Sequence, residues 1–272
     1  MSKITMAIET ITPERAGELL ATNSHNRNIR PAAVTRLAAA IKRGEWKLNG
    51  DAIRIGADGV LLDGQHRLTA IVRAGVPVQS IVVSGVSPDA FATIDTDACP
   101  RNAADVLHVS GAKSATAVAS VAKMLHIYKA TGNPVSTTAT AMPTTQQIVA
   151  SSDANVDVQD AVSWVYGRGK WCKTFLGPSI SGFCRVLFMR DNRDAATAFF
   201  DSLNSGLDLH EGSPVALLRE RMVSDYAAPT KMTKQLKIAM VFKAYKYHRD
   251  GASVKFLRVY LGDRKESEMF VL

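Results

Sequence analysis

Asp63, Gly64, Gln65, His66 and Arg67 stand in a row between an apolar, strand-like run (Val60-Leu61-Leu62) and the helical pattern Leu68-Thr69-Ala70-Ile71-Val72. A helix that opens at Gln65 leaves its first amide N–H groups without helical partners. The helix dipole favours an anion there, and a glycine at residue 64 lets the backbone come close to one. Leu68, Ile71 and Val72 form the apolar face. Successive helix residues turn by about 100°, so His66 and Arg67 are expected to point away from that face. Arg67 suits a bidentate grip on phosphate oxygens. His66 suits donation to a phosphate when charged, or proton transfer when neutral. Asp63 is expected either to hold His66 or to cap the helix. The row therefore suits phosphate binding by Gly64, Gln65, His66 and Arg67, with His66 and Asp63 as acid–base candidates. The plain alternative is a capped helix start with solvated side chains.

Other groups could complete such a site. Asn26, Arg27 and Arg30 precede Pro31, a second helix start able to meet a phosphate or a base; a solvated loop is the other reading. Asp95 and Asp97 follow a strand, with Arg101 and Asp105 close behind. Two carboxylates suit Mg²⁺ bound with nucleotide phosphates, and an arginine suits a transferring phosphoryl group. Turn and cap chemistry, with Asn102 or Asp97 as the cap, explains the same residues. Glu45, after Gly44, is either a general base or a solvated loop glutamate. Far along the chain, Lys231, Lys234, Lys237, Lys243, Lys246 and Arg249 recur with Tyr245, Tyr247, Phe256 and Tyr260. That mixture suits phosphate tracking and base stacking. It equally suits an amphipathic helix whose core stripe is Ile238, Val241, Phe242 and Tyr245.

The elements that must position these residues follow from punctuation and periodicity. Thr12-Pro13-Glu14 reads as an N-cap, a proline at N1 and an acidic first turn, opening a helix to about Ala21. Pro31 opens a second helix that Gly44 closes. Residues 51–64 read as two short strands around Ala57-Asp58-Gly59, and residues 76–86 as a further β-branched strand. From about Asn102 the chain is expected to be helical, with a long helix over 113–132. Further helices are expected near 144–151, 157–167, 179–190, 193–205, 213–225, 231–250 and 252–261, and a Thr-rich loop over 132–145. The expected fold class is α+β: residues 1–100 form a small mixed sheet with helices, and residues 101–272 an all-helical domain with a basic C-terminal face.

Composition narrows the function classes. With 272 residues, 46% of them apolar and 21% charged, the chain can bury a core, and global disorder is not expected. Cys99, Cys172 and Cys184 form no CxxC pair, so a reduced, cytoplasmic protein is expected. No signal peptide, membrane span, P-loop or zinc spacing is evident. A net charge of +8 points towards polyanions.

The stretch Gly44–Val83, "GEWKLNGDAIRIGADGVLLDGQHRLTAIVRAGVPVQSIVV", resembles the ParB/sulfiredoxin superfamily. The likeness covers roughly residues 8 to 95, about a third of the chain. With "IDTDACPRNAADVL" and "SGLDLHEGSPVALLRERM" the whole resembles ParB-like proteins of phages and mobile elements. The resemblance implies nucleotide binding. Partition proteins of this superfamily bind CTP and clamp DNA, and place a glycine, a glutamate and two arginines where Gly64, Gln65, His66 and Arg67 stand. Sulfiredoxins use ATP and carry Gly-Cys-His-Arg there; Gln65 replaces that cysteine, which argues against sulfinic acid reduction. Free-serine kinases of the same fold carry Asp-Gly-His-His-Arg, close to Asp63–Arg67. Because Gln65 replaces the partition proteins' glutamate, CTP is not singled out over ATP or ADP. The leading expectation is a nucleotide-binding ParB-like protein acting on or with DNA, with Mg²⁺ as a candidate ion and a homodimer as a candidate assembly. The alternative is an ATP- or ADP-dependent phosphotransferase on a small molecule or modified base. A nuclease or a degenerate binding module stands behind these.

Overall fold

The computed structural model describes residues 3–23, 28–87, 89–90, 94, 101–207, 209–259 and 269–272. The chain divides into two compact units: Met1–Pro100 with Thr138–Thr144, and Arg101–Thr137 with Thr145–Leu272. The architecture is mixed α+β.

The first unit runs β1 (Thr5–Ile11), α1 (Pro13–Ala21), α2 (Pro31–Lys42), β2 (Ala52–Gly56), β3 (Leu61–Asp63), α3 (Gln65–Ala74) and β4 (Val78–Val86). Its sheet has the order β1-β4-β2-β3. β4 pairs antiparallel with β1 and parallel with β2, while β2 and β3 form a hairpin. The helices start where the residues dictate. The Thr12 side chain accepts from the Arg15 amide, and Pro13 and Pro31 occupy first-turn positions where no N–H is needed. Ile11, Leu19, Val34, Ala38, Ile41, Ile53, Leu61, Leu68, Ile71, Val78 and Val82 make the core between the helices and one sheet face.

β1 was not among the expected strands, and the reason is physical. Its core side carries Ala7 and Glu9, whereas Met6 and Ile8 lie opposite Val83 and Ile81 on the other face, 73% and 61% exposed. The apolar alternation is there, but it marks the face away from the core.

The second unit is helical: α4 (Ala103–Val109), α5 (Ala115–Thr131), α6 (Thr145–Asp153), α7 (Asp157–Gly167), α8 (Lys170–Phe175), α9 (Pro178–Asp191), α10 (Arg193–Ser205), α11 (Pro214–Ala227) and α12 (Lys234–Arg249). Its core is aromatic. Phe188 stacks on Tyr245 at 3.9 Å between centroids, with Phe199, Phe200 and Phe242 around them. The helix expected over 252–261 is absent from the described residues 252–259. Gly251, at φ 65°, turns the chain out of α12, and the Val254 amide bonds the Gly212 carbonyl. Leu257 is buried and Val259 packs against the helical core, both from an irregular segment. No helix among the described residues is long and apolar enough to cross a membrane.

Candidate functional site

α3 opens at Gln65, immediately after β3. Gly64 makes that junction possible: its φ is 108°, and a Cβ there would stand 3.2 Å from Ile53 Cγ1. No side chain caps α3 from residue 64, and α2 likewise starts without a side-chain cap at Arg30.

The two clusters read separately in the sequence meet here. The Arg30 amide donates to His66 Nε2 at 3.0 Å. Asn23 Nδ2 donates to Gln65 Oε1 at 3.2 Å, and the Leu61 amide donates to Thr22 Oγ1 at 3.2 Å. Gln65 is buried and His66 half-buried. The connection between α1 and α2 is thus tied at both ends to the start of α3. Nε2 can accept this hydrogen bond only in the neutral tautomer that carries its proton on Nδ1.

Arg67 does not face outward. Its Nη2 donates to Asp63 Oδ2 at 2.9 Å and to the Ala52 carbonyl at 2.8 Å, while Nη1 is buried without a hydrogen bond. Arg54 Nη1 donates to the same Asp63 oxygen at 2.6 Å. Asp63 therefore neither caps α3 nor holds His66; it gathers two arginines. The guanidinium expected to grip a phosphate is committed to strand ends, because a carboxylate and a backbone carbonyl lie within its reach. Arg54, absent from the sequence candidates, lies opposite Asp63 across the hairpin, where a register shift follows Arg54. Arg67→Ala is expected to cost about 1–2 kcal/mol of stability, a range set by a charge-assisted bond discounted for partial exposure. It should leave anion binding nearly unchanged. Urea unfolding beside nucleotide titration separates the two effects.

Glu45 forms a bidentate pair with Arg43, at 2.8 and 3.0 Å, and that bond raises the Arg43 guanidinium above its ordinary value. Arg101 is exposed, and beside it Asn102 and Asp105 form a reciprocal capping box on α4. Arg27, Asp95 and Asp97 lie outside the described residues. No group of three or more His, Cys, Asp or Glu side chains placed to hold a metal occurs among the described residues.

The basic face expected on α12 is largely turned to internal work. Lys231 Nζ donates to the carbonyls of Asp225, Tyr226 and Ala228, satisfying the end of α11. Lys237 pairs with the buried Asp225 at 2.6 Å. Lys243 donates to the Arg258 carbonyl, Lys246 to the Val271 carbonyl, and Arg249 to Asp191 and Asp250. Lys234 is exposed, with no hydrogen bond or ion pair among the described residues. Apart from Lys234, the expected row of free cations is thus a set of anchors.

Comparison of the chain with protein-family models, curated proteins and solved structures finds no match.

Proposed function

We propose that the chain is a nucleotide-binding protein that acts on or with DNA, holding a nucleotide phosphate where α2 and α3 begin. The observation that carries this reading is the hydrogen bond from the Arg30 amide to His66 Nε2. It brings together two helix N-termini, neither capped by a side chain from its N-cap residue. Each contributes partial positive charge and amide donors, so an anion near the pair gains from both dipoles. The resemblance of Gly64, Gln65 and His66 to part of the ParB/sulfiredoxin phosphate motif supports the same place. The net charge of +8 supports a polyanionic partner.

In this reading His66 links the α1–α2 connection to the phosphate. Once charged, it releases the Arg30 amide and can donate to a phosphate oxygen. Calorimetric titration with ATP, ADP and CTP, with and without Mg²⁺, tests the proposal. His66→Ala should weaken the best ligand by about tenfold, the scale of one charge-assisted hydrogen bond. His66→Gln, which restores an acceptor, should recover part of the loss. Absence of binding by all three nucleotides, or equal affinity in His66→Ala, would overturn the assignment.

A further inference from the structure

With Lys237, Lys243 and Lys246 of α12 held in hydrogen bonds or ion pairs, the freer cations lie beside that helix. α11, α12 and residues 255–259 enclose a groove of about 510 Å³. Its apolar lining includes Leu217 from α11 and Leu236 and Met240 from α12. Its lining carries Arg221, Lys255 and Arg258 against a single carboxylate, Glu220. All three cations are exposed, and none of their side-chain nitrogens makes a hydrogen bond or ion pair among the described residues. Beside them stands Phe256, 67% exposed, with the Arg258 guanidinium 4.9 Å from its ring centroid. The segment is fixed from behind: Leu257 is buried, and Lys243 donates to the Arg258 carbonyl at 2.7 Å.

We propose that this groove binds single-stranded nucleic acid, with Phe256 stacking on an unpaired base and Arg221, Lys255 and Arg258 meeting phosphates. The inference rests on the reading that the chain works with DNA, and it names the surface and strand form. Charge complementarity selects a polyanion, since three cations face one anion. The exposed ring selects among polyanions: an aromatic platform gains from a free base face, whereas duplex bases are already stacked on one another. The volume falls within the range of small-ligand pockets, enough for a nucleotide and too little for a duplex.

Fluorescence anisotropy on the full chain tests this with a labelled oligothymidine of about 12 nucleotides, within the span of single-stranded binding modules. The same titration is run with an abasic oligomer of equal length, a duplex and polyglutamate as competitor. The expected result is preference for oligothymidine over both abasic and duplex forms. Phe256→Ala should lower oligothymidine affinity about tenfold and erase the preference over the abasic oligomer, and Phe256→Trp should keep both. Arg221→Ala should reduce the slope of log affinity against log salt by about 0.7, one phosphate contact on a single strand. Photocrosslinking of an iodouracil oligomer should map to Phe256. Duplex binding equal to single-strand binding, with Phe256→Ala unchanged, would overturn the groove assignment while leaving the DNA reading standing. Effective competition by polyglutamate would overturn it in favour of an acidic protein partner. If neither strand form binds, both readings fall.

Discussion

An Asp225→Ala chain is expected to lose about 3–4 kcal/mol of stability, the scale of breaking a buried ion pair from one side. Asp225 is 6% exposed near the end of α11. It accepts from the Met232 amide and pairs with Lys237, so it joins α11 to the start of α12. Removing it leaves the Lys237 ammonium, 17% exposed, without its counter-charge. Asp225→Asn should cost less, because an acceptor for Met232 survives. The same group gives a pH dependence. Burial pushes the Asp225 carboxyl up, but Lys237, the Met232 amide and Lys231 outweigh it and hold it below its ordinary value. A carboxylate whose folded value is depressed contributes stability that is complete above the unfolded value of about 4, and loses it as pH falls through the folded value. Denaturant midpoints between pH 3 and 7 should therefore drop at the acid end in the parent and change less in Asp225→Ala. A parallel fall in both chains would show that other groups carry the acid response.

Gly64→Ala is the second large effect, expected at about 2–3 kcal/mol. A left-handed backbone costs an ordinary residue roughly 1–2 kcal/mol. The added methyl also meets Ile53, a fully buried side chain in β2, at 3.2 and 3.4 Å. Relief requires the start of α3 to move from the strand, which would carry Gln65 and His66 with it. Stability and nucleotide affinity should therefore fall together, whereas Arg67→Ala should reduce stability alone. Hydrogen exchange of peptides from residues 52–75, compared with peptides from α9 and α12, shows whether the loss stays within the first unit. Unchanged exchange at residues 52–75 would contradict this account.

These two positions show what could be read in the residues and what could not. Gly64, Pro13, Pro31 and Gly75 are local signals, because each answers a backbone requirement within one turn. They made α1, α2, α3 and the hairpin legible. The direction of Arg67 was not legible: its partners are a carbonyl on β2 and a carboxylate on β3, brought together by a hairpin whose register shifts after Arg54. The α12 lysines misled for a related reason. Five of the acceptors of Lys231, Lys243 and Lys246 are backbone carbonyls with no residue-type signature, those of Asp225, Tyr226, Ala228, Arg258 and Val271. The meeting of His66 with Arg30 was hinted at by two basic, helix-opening segments, but only the packing of α2 against α3 joins them.

The place of β1 has a consequence for the order in which the first unit is completed. Among the described strands its only partner is β4, and the register sets Thr5 against Ser84. α1, α2, the β2–β3 hairpin and α3 leave the ribosome after β1 and before β4. At about 5–20 residues per second, roughly ten seconds separate the emergence of the two partners. Throughout that interval Met6 and Ile8 sit on an unpaired ribbon, and alternating apolar ribbons of this kind recruit foreign edges. β1 thus waits for β4, and a nascent chain stalled before Val78 should be prone to association. Pelleting of ribosome-bound intermediates arrested before and after β4 gives the comparison.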